Sequence, residues 1–109
     1  MTGDRVRGAR AIEHRTVSRK TPADGKLEIT KAAAGRLESL GAGFPIVVDD
    51  RQGNGALATM PCTCRGHDKP HVHYFVESEL LRSLAAGSEV DLYLDDDGES
   101  PRRLLVVTA

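Results

Sequence analysis

Cys62-Thr63-Cys64-Arg65-Gly66-His67-Asp68-Lys69-Pro70-His71-Val72-His73 gathers into twelve positions five of the two Cys and four His that the whole chain contains. In an extended strand, residues two apart point to the same side. Cys62 and Cys64 therefore share one face of a strand, and His71 and His73 share one face of the next. Residues 65–70 between them are polar and hold two breakers, Gly66 and Pro70, as a loop requires. The segment reads as a β-hairpin. If it closes symmetrically, Cys64 stands opposite His71, Cys62 opposite His73, and Met60 opposite Phe75. Directly opposed Cβ atoms lie roughly 4.5–5.5 Å apart, a span that one ion with sulfur and nitrogen ligands bridges. Two thiolates and two neutral imidazoles are a ligand set that Zn²⁺ favours. The expected metal ligands are Cys62, Cys64, His71 and His73, with His67 at the loop tip as an alternative ligand.

Four protein ligands complete a tetrahedron and leave no place for water, which makes such a site structural. With three ligands, a zinc-bound water becomes available, and Glu77 or Asp68 is the candidate base. The structural form is preferred because a small, aromatic-poor domain gains from a staple. A Cys62–Cys64 disulfide is disfavoured, since two side chains projecting the same way on one strand strain the bridge. A metal-free thiol, with Cys64 activated by His71 or His67, lacks a third residue to orient the base. No residue is assigned a catalytic role, and the balance of the reading is against an enzyme.

Outward from the hairpin, the flanking segments follow one recipe twice. Leu27 and Ile29 alternate as a short strand; Thr30 caps a helix over 31–40 with Ala33, Leu37 and Leu40 on one face; Gly41 ends it. Residues 45–49 read as a buried strand, 49–55 as a turn, and 56–64 as a further strand. In the second half, residues 71–76 form a strand and 78–86 a helix with Leu80, Leu81 and Leu84 inward. Val90, Leu92 and Leu94 then alternate along a strand, and 103–107 returns as the last one. These halves, 26–60 and 71–108, are a candidate internal repeat. The expected fold is α+β and mostly β: a small pseudo-twofold antiparallel barrel or sandwich with two short helices and a metal-binding β-hairpin.

The chain's 109 residues suit one domain, with 39% hydrophobic and 28% charged residues and a net charge of −1. That composition belongs to a soluble globular protein. No apolar run approaches the roughly 20 residues of a membrane span, and no signal peptide opens the chain, so a reducing, cytoplasmic setting is expected. Charge is unevenly placed. Residues 1–26 carry seven basic and three acidic side chains, and residues 27–109 carry eight basic and thirteen acidic. Only Val6, Ile12 and Val17 of the 23 Val, Ile and Leu residues fall in the first segment. Residues 1–25 thus read as a basic, mobile or loosely docked arm, and 26–109 as the single domain.

Other motifs read more plainly. Asp49-Asp50 and Asp95-Asp96-Asp97 are solvated turns rather than a hard-cation site, because they match no calcium-loop spacing. Gly53-Asn54-Gly55 lacks the following Lys and helix of a phosphate loop. Arg102-Arg103 reads as a charged device on an edge strand.

Val76-Glu77-Ser78-Glu79-Leu80-Leu81-Arg82-Ser83-Leu84-Ala85-Ala86-Gly87-Ser88-Glu89-Val90-Asp91-Leu92, continuing through Asp97-Gly98 to Leu105-Val106, resembles the AbrB/MazE family of cradle-loop barrels. The likeness covers about residues 72–107 and lies in the strand, the short Leu-Arg-x-x-Leu helix, the Gly before the next strand and the acidic-Gly turn. It implies a barrel built from two such units, here fused in one chain, and DNA binding through basic residues. The family's Pro after the first strand is absent and the domain is net acidic. Three functions follow. The preferred one is a zinc-binding adaptor with a protein partner, with no membrane role and with homo-oligomerisation left open. The second is an AbrB-like DNA-binding regulator or antitoxin-type protein using Arg5, Arg7, Arg10, Arg15, Arg19 and Lys20. The third is a metal-dependent hydrolase, should the site have an open position.

Overall fold

The structure is a computed structural model that describes residues 9–61, 72–95 and 102–109. Seven strands form one sheet: β1 (Arg10–Thr16), β2 (Lys26–Ile29), β3 (Gly43–Val48), β4 (Arg51–Pro61), β5 (Val72–Glu77), β6 (Glu89–Asp95) and β7 (Arg103–Thr108). Their order across the sheet is β1-β6-β7-β3-β4-β5-β2. All neighbours are antiparallel except β3 and β7, which run parallel with Ile46 beside Leu104 and Val48 beside Val106. The sheet curls into a nearly closed barrel, mostly β with two short α-helices, α1 (Lys20–Asp24) and α2 (Lys31–Leu37). Across the seam between the two edges, Glu13 on β1 accepts hydrogen bonds from the Thr30 backbone N–H (2.7 Å) and hydroxyl (3.0 Å), just beyond β2.

Alternation along the strands supplies the interior. Val90, Leu92 and Leu94 of β6 are buried while Asp91, Tyr93 and Asp95 lie between them, half-buried. Leu27, Ile29, Ile46, Val48, Val76, Leu104 and Val106 join the same aliphatic cluster. Helix α2 closes one end of it with Ala33, Ala34 and Leu37, and its cap is the expected one: the Thr30 side chain accepts from the Ala33 N–H at 3.2 Å. The helix tightens into a 3₁₀ turn over Glu38–Leu40 and ends at Gly41, whose φ is +90°.

Four expectations need correction. The helix over 78–86 is a shorter 3₁₀ turn, Glu79–Ser83, in which Leu81 and Leu84 N–H groups bond three residues back. Its Leu81 and Leu84 are nonetheless buried as expected. The turn over 49–55 contracts to Asp49-Asp50, because β4 begins at Arg51 opposite Val48. Gly53 and Gly55 are therefore strand residues kept small by close neighbours. A Cβ on Gly53 would come within 2.9 Å of Leu80, and one on Gly55 within 3.3 Å of both Phe44 and the Glu77 carbonyl. Arg102-Arg103 lies at no edge: β7 is flanked by β6 and β3, and Arg103 Nε donates to Asp95 at 2.9 Å.

The fourth correction concerns the basic arm. Residues 10–16 form a strand along β6, Val17 is 2% exposed, and its N–H donates to the Ser88 carbonyl at 2.7 Å. Residues 1–8 lie outside the described residues. The apolar count alone underrated this segment because a strand docking on an exposed edge gains backbone hydrogen bonds along its length. It also sets His14 against the acidic Glu89 and Asp91. Both halves run strand, helical segment, strand, strand, and each contains an antiparallel hairpin, β3–β4 and β6–β7. A twofold exchange of the halves would turn the β3–β7 pair into a β4–β6 pair, whereas β4 joins β5.

Candidate metal centre

The segment carrying most of the expected ligands follows β4 and precedes β5 in the chain. The two strands pair from Ala56↔Glu77 to Pro61↔Val72. Cys62, Cys64, His67 and His71 lie outside the described residues; His73 lies within them, on β5. Its partner on β4 is Met60, and Phe75 faces Ala58. The symmetric closure that set Met60 against Phe75 and Cys62 against His73 is thus displaced by two residues. Such a displacement keeps every side chain on its expected face, because the strand period is two.

That face extends onto β2. Lys26 stands opposite Glu77, and Glu28 opposite Phe75. His73 reaches diagonally across to Glu28, with Nδ1 2.9 Å from Oε2. A carboxylate only accepts, so Nδ1 carries the proton in this bond. Lys26 Nζ lies 3.5 Å from Glu77 Oε1 and 4.0 Å from Met60 Sδ. Phe75 is 1% exposed beneath them, with the His73 ring centroid 6.5 Å away and the Lys20 ammonium 5.5 Å over its own ring. Among the described residues, the exposed large hydrophobics are Met60 and Val72, both at this end of the hairpin. No group of three His, Cys, Asp or Glu side chains placed to hold a metal occurs among the described residues.

No protein family, curated protein or solved structure matches the chain.

Glu28 is the partner of His73 that no local sequence signal indicated. It lies 45 positions from His73, and only the β2–β5 pairing brings the two together. The alternation of Lys26, Leu27, Glu28 and Ile29 marked Glu28 as outward-facing, but nothing local named the strand beside it.

His14, the one histidine outside the hairpin segment, also bridges elements. Its Nδ1 is 2.6 Å from Asp91 Oδ1 and its Nε2 3.2 Å from Glu89 Oε1, both on β6. The hydrogen bond to Asp91, then that to Glu89, holds the imidazole pKa above its ordinary 6.5.

The described residues among those considered for nucleic-acid binding lie on different elements. Arg5 and Arg7 are outside the described residues. Arg10 and Arg15 are in β1, Arg19 precedes α1, and Lys20 covers Phe75. An open groove of about 390 Å³ lies near the β5 end opposite the hairpin tip, lined by Asp24, Lys26, Asn54, Glu77, Ser78 and Glu79 among others. Its one hydroxyl is engaged on both sides: Ser78 Oγ donates to the Asn54 carbonyl (2.9 Å) and accepts from the Leu80 N–H (3.3 Å). The Asp49 carboxylate likewise has a structural task, accepting from the N–H and hydroxyl of Thr108. Among the described residues, no helix is long and apolar enough to cross a membrane.

Proposed function

We propose that this protein is a small zinc-binding domain in which Cys62, Cys64, His71 and His73 hold a structural Zn²⁺ at the end of the β4–β5 hairpin. The metal would make that end a rigid surface for a protein partner. The observation that carries the reading is the pairing of Pro61 with Val72. Cys62 follows one member of that pair and His71 precedes the other, so two ligand types begin one residue beyond a common point. Cys64 and His73 each lie two residues from these, the spacing that keeps a strand's side chains on one face. Apolar Met60 and Val72, both exposed beside the site, supply contact area for a partner without drawing on the core.

X-ray absorption on the zinc-loaded protein tests this directly. The expected shell is two sulfur and two nitrogen ligands, lost in Cys64→Ser and unchanged in His67→Ala. Loss of zinc in His67→Ala would overturn the ligand choice, and an oxygen ligand in the first shell would favour the hydrolase reading. A wild-type protein that binds no zinc would end the proposal. Thermal unfolding gives a second measure: zinc at a hundredfold excess over its Kd should add about 2.7 kcal/mol of stability, reversed by chelator.

A further inference from the structure

We infer that the outer face of the β3–β7 pair carries a binding site for a small carboxylate with a compact apolar group, seated on Val47 and Leu105 and held by Arg103 and Gln52. The site shares no residue with the metal centre proposed above and does not depend on it. It begins in the sequence as two runs, Ile46-Val47-Val48 and Leu104-Leu105-Val106, in which every residue is buried. A strand covered on one face alternates, whereas a run buried throughout is covered on both. Ile46, Val48, Leu104 and Val106 belong to the core. Val47 and Leu105 lie side by side on the opposite face, 5% and 2% exposed, and outside that core cluster. A cavity of about 200 Å³ opens beside them, lined among the described residues by Val47, Gln52, Arg103 and Leu105.

Gln52 is the β4 partner of Val47, and Arg103 stands two residues before Leu105 on β7, so both side chains share this face. Arg103 Nε donates to Asp95 Oδ2 at 2.9 Å, which restrains the guanidinium. Among the described residues, its two Nη groups and the Gln52 amide have no hydrogen-bond partner. A guanidinium carries five N–H donors, so those beyond the Asp95 bond are left for a ligand. A carboxylate accepts from such a fork through both oxygens, and the Gln52 amide can donate to the same group. The apolar floor disfavours a heavily hydrated dianion such as phosphate and favours a hydrocarbon tail. Size limits that tail. An apolar cavity of about 150 Å³ in an unrelated protein admits benzene, so a short branched chain or a single phenyl ring fits here and a long acyl chain does not.

Benzoate titrated into the whole chain, followed by ¹H–¹³C and ¹H–¹⁵N NMR, tests the site. Saturable shifts should appear at the Val47 and Leu105 methyl groups and at the Arg103 Nε–H. Benzamide, which has the same shape without the charge, should bind roughly tenfold more weakly. Arg103→Lys, which keeps the charge and loses the fork, should weaken benzoate binding roughly tenfold. Gln52→Ala, at an exposed side chain, should weaken it roughly threefold and leave the unfolding midpoint of the free protein unchanged. Should Arg103→Lys fail to fold, the benzamide comparison and Gln52→Ala decide without it. Benzoate that gives no saturable shift at Val47 and Leu105 would overturn the inference, as would benzamide binding equally well. So would Arg103→Lys and Gln52→Ala proteins that bind benzoate as the wild type does.

Discussion

His14 shows how one side chain can attach a strand. It faces two carboxylates of β6, and its pKa is raised because both accept hydrogen bonds from the ring. For a group whose folded pKa lies above its unfolded value, the stabilising contribution is complete below the unfolded pKa, near 6.5. It disappears as pH rises through the folded one. Urea midpoints of the wild type and His14→Gln should therefore differ most near pH 6 and converge at higher pH. The site is solvent-exposed, so the difference should also shrink in high salt. A gap that widens with pH would mean that His14 acts as a neutral packing residue. No pattern in the sequence distinguished His14 from a solvated histidine, since its partners are 75 and 77 positions away.

The connection between α1 and β2 is the most constrained short element. Gly25 has a φ of +70°, and a Cβ there would lie 2.8 Å from the Ser78 carbonyl oxygen. That carbonyl belongs to backbone that cannot swing away, because the Ser78 N–H donates to the Gly25 carbonyl at 2.9 Å. Left-handed strain and the clash act together, so Gly25→Ala should cost about 1–3 kcal/mol. Gly53→Ala should cost less, since its obstacle is the flexible end of Leu80. Chemical denaturation of the two variants checks the order. By composition, Thr21-Pro22-Ala23-Asp24-Gly25 is a turn cluster. That cluster is instead a five-residue helix with Gly25 at its C-terminal cap, closed by the Thr21 hydroxyl bonding the Lys26 carbonyl at 2.8 Å. Thr21, polar yet fully buried, is satisfied by that bond, a detail that local propensity does not carry. The same blindness shortened the expected helix over 78–86: its apolar spacing at Leu80, Leu81 and Leu84 fits both a helix and a tighter turn.

Across the whole molecule, the parallel β3–β7 pair sits at the centre of the sheet, with strands on both sides. Ile46, Leu104 and Val106 are fully buried there, and Val48 nearly so. Native-state hydrogen exchange should be slowest for amides of β3 and β7 and fastest for the edge strands β1 and β2. Comparable protection in β1 and β7 would mean that the barrel opens only as a unit. The sequence by itself determined the strands β2, β3, β5, β6 and β7, helix α2 with its Thr30 cap, and the inward residues of β6. It also marked Cys62, Cys64, His71 and His73 as a candidate ligand set. These are readable because alternation, capping and residue chemistry are local properties of consecutive side chains. The tertiary structure alone decided the docking of β1 on β6, the central place of β7, the Met60↔His73 register and the approach of Glu28 to His73. Each of these depends on which strand becomes a neighbour. That choice is made by closing a shared core among residues far apart in the chain, and no short window of sequence contains it.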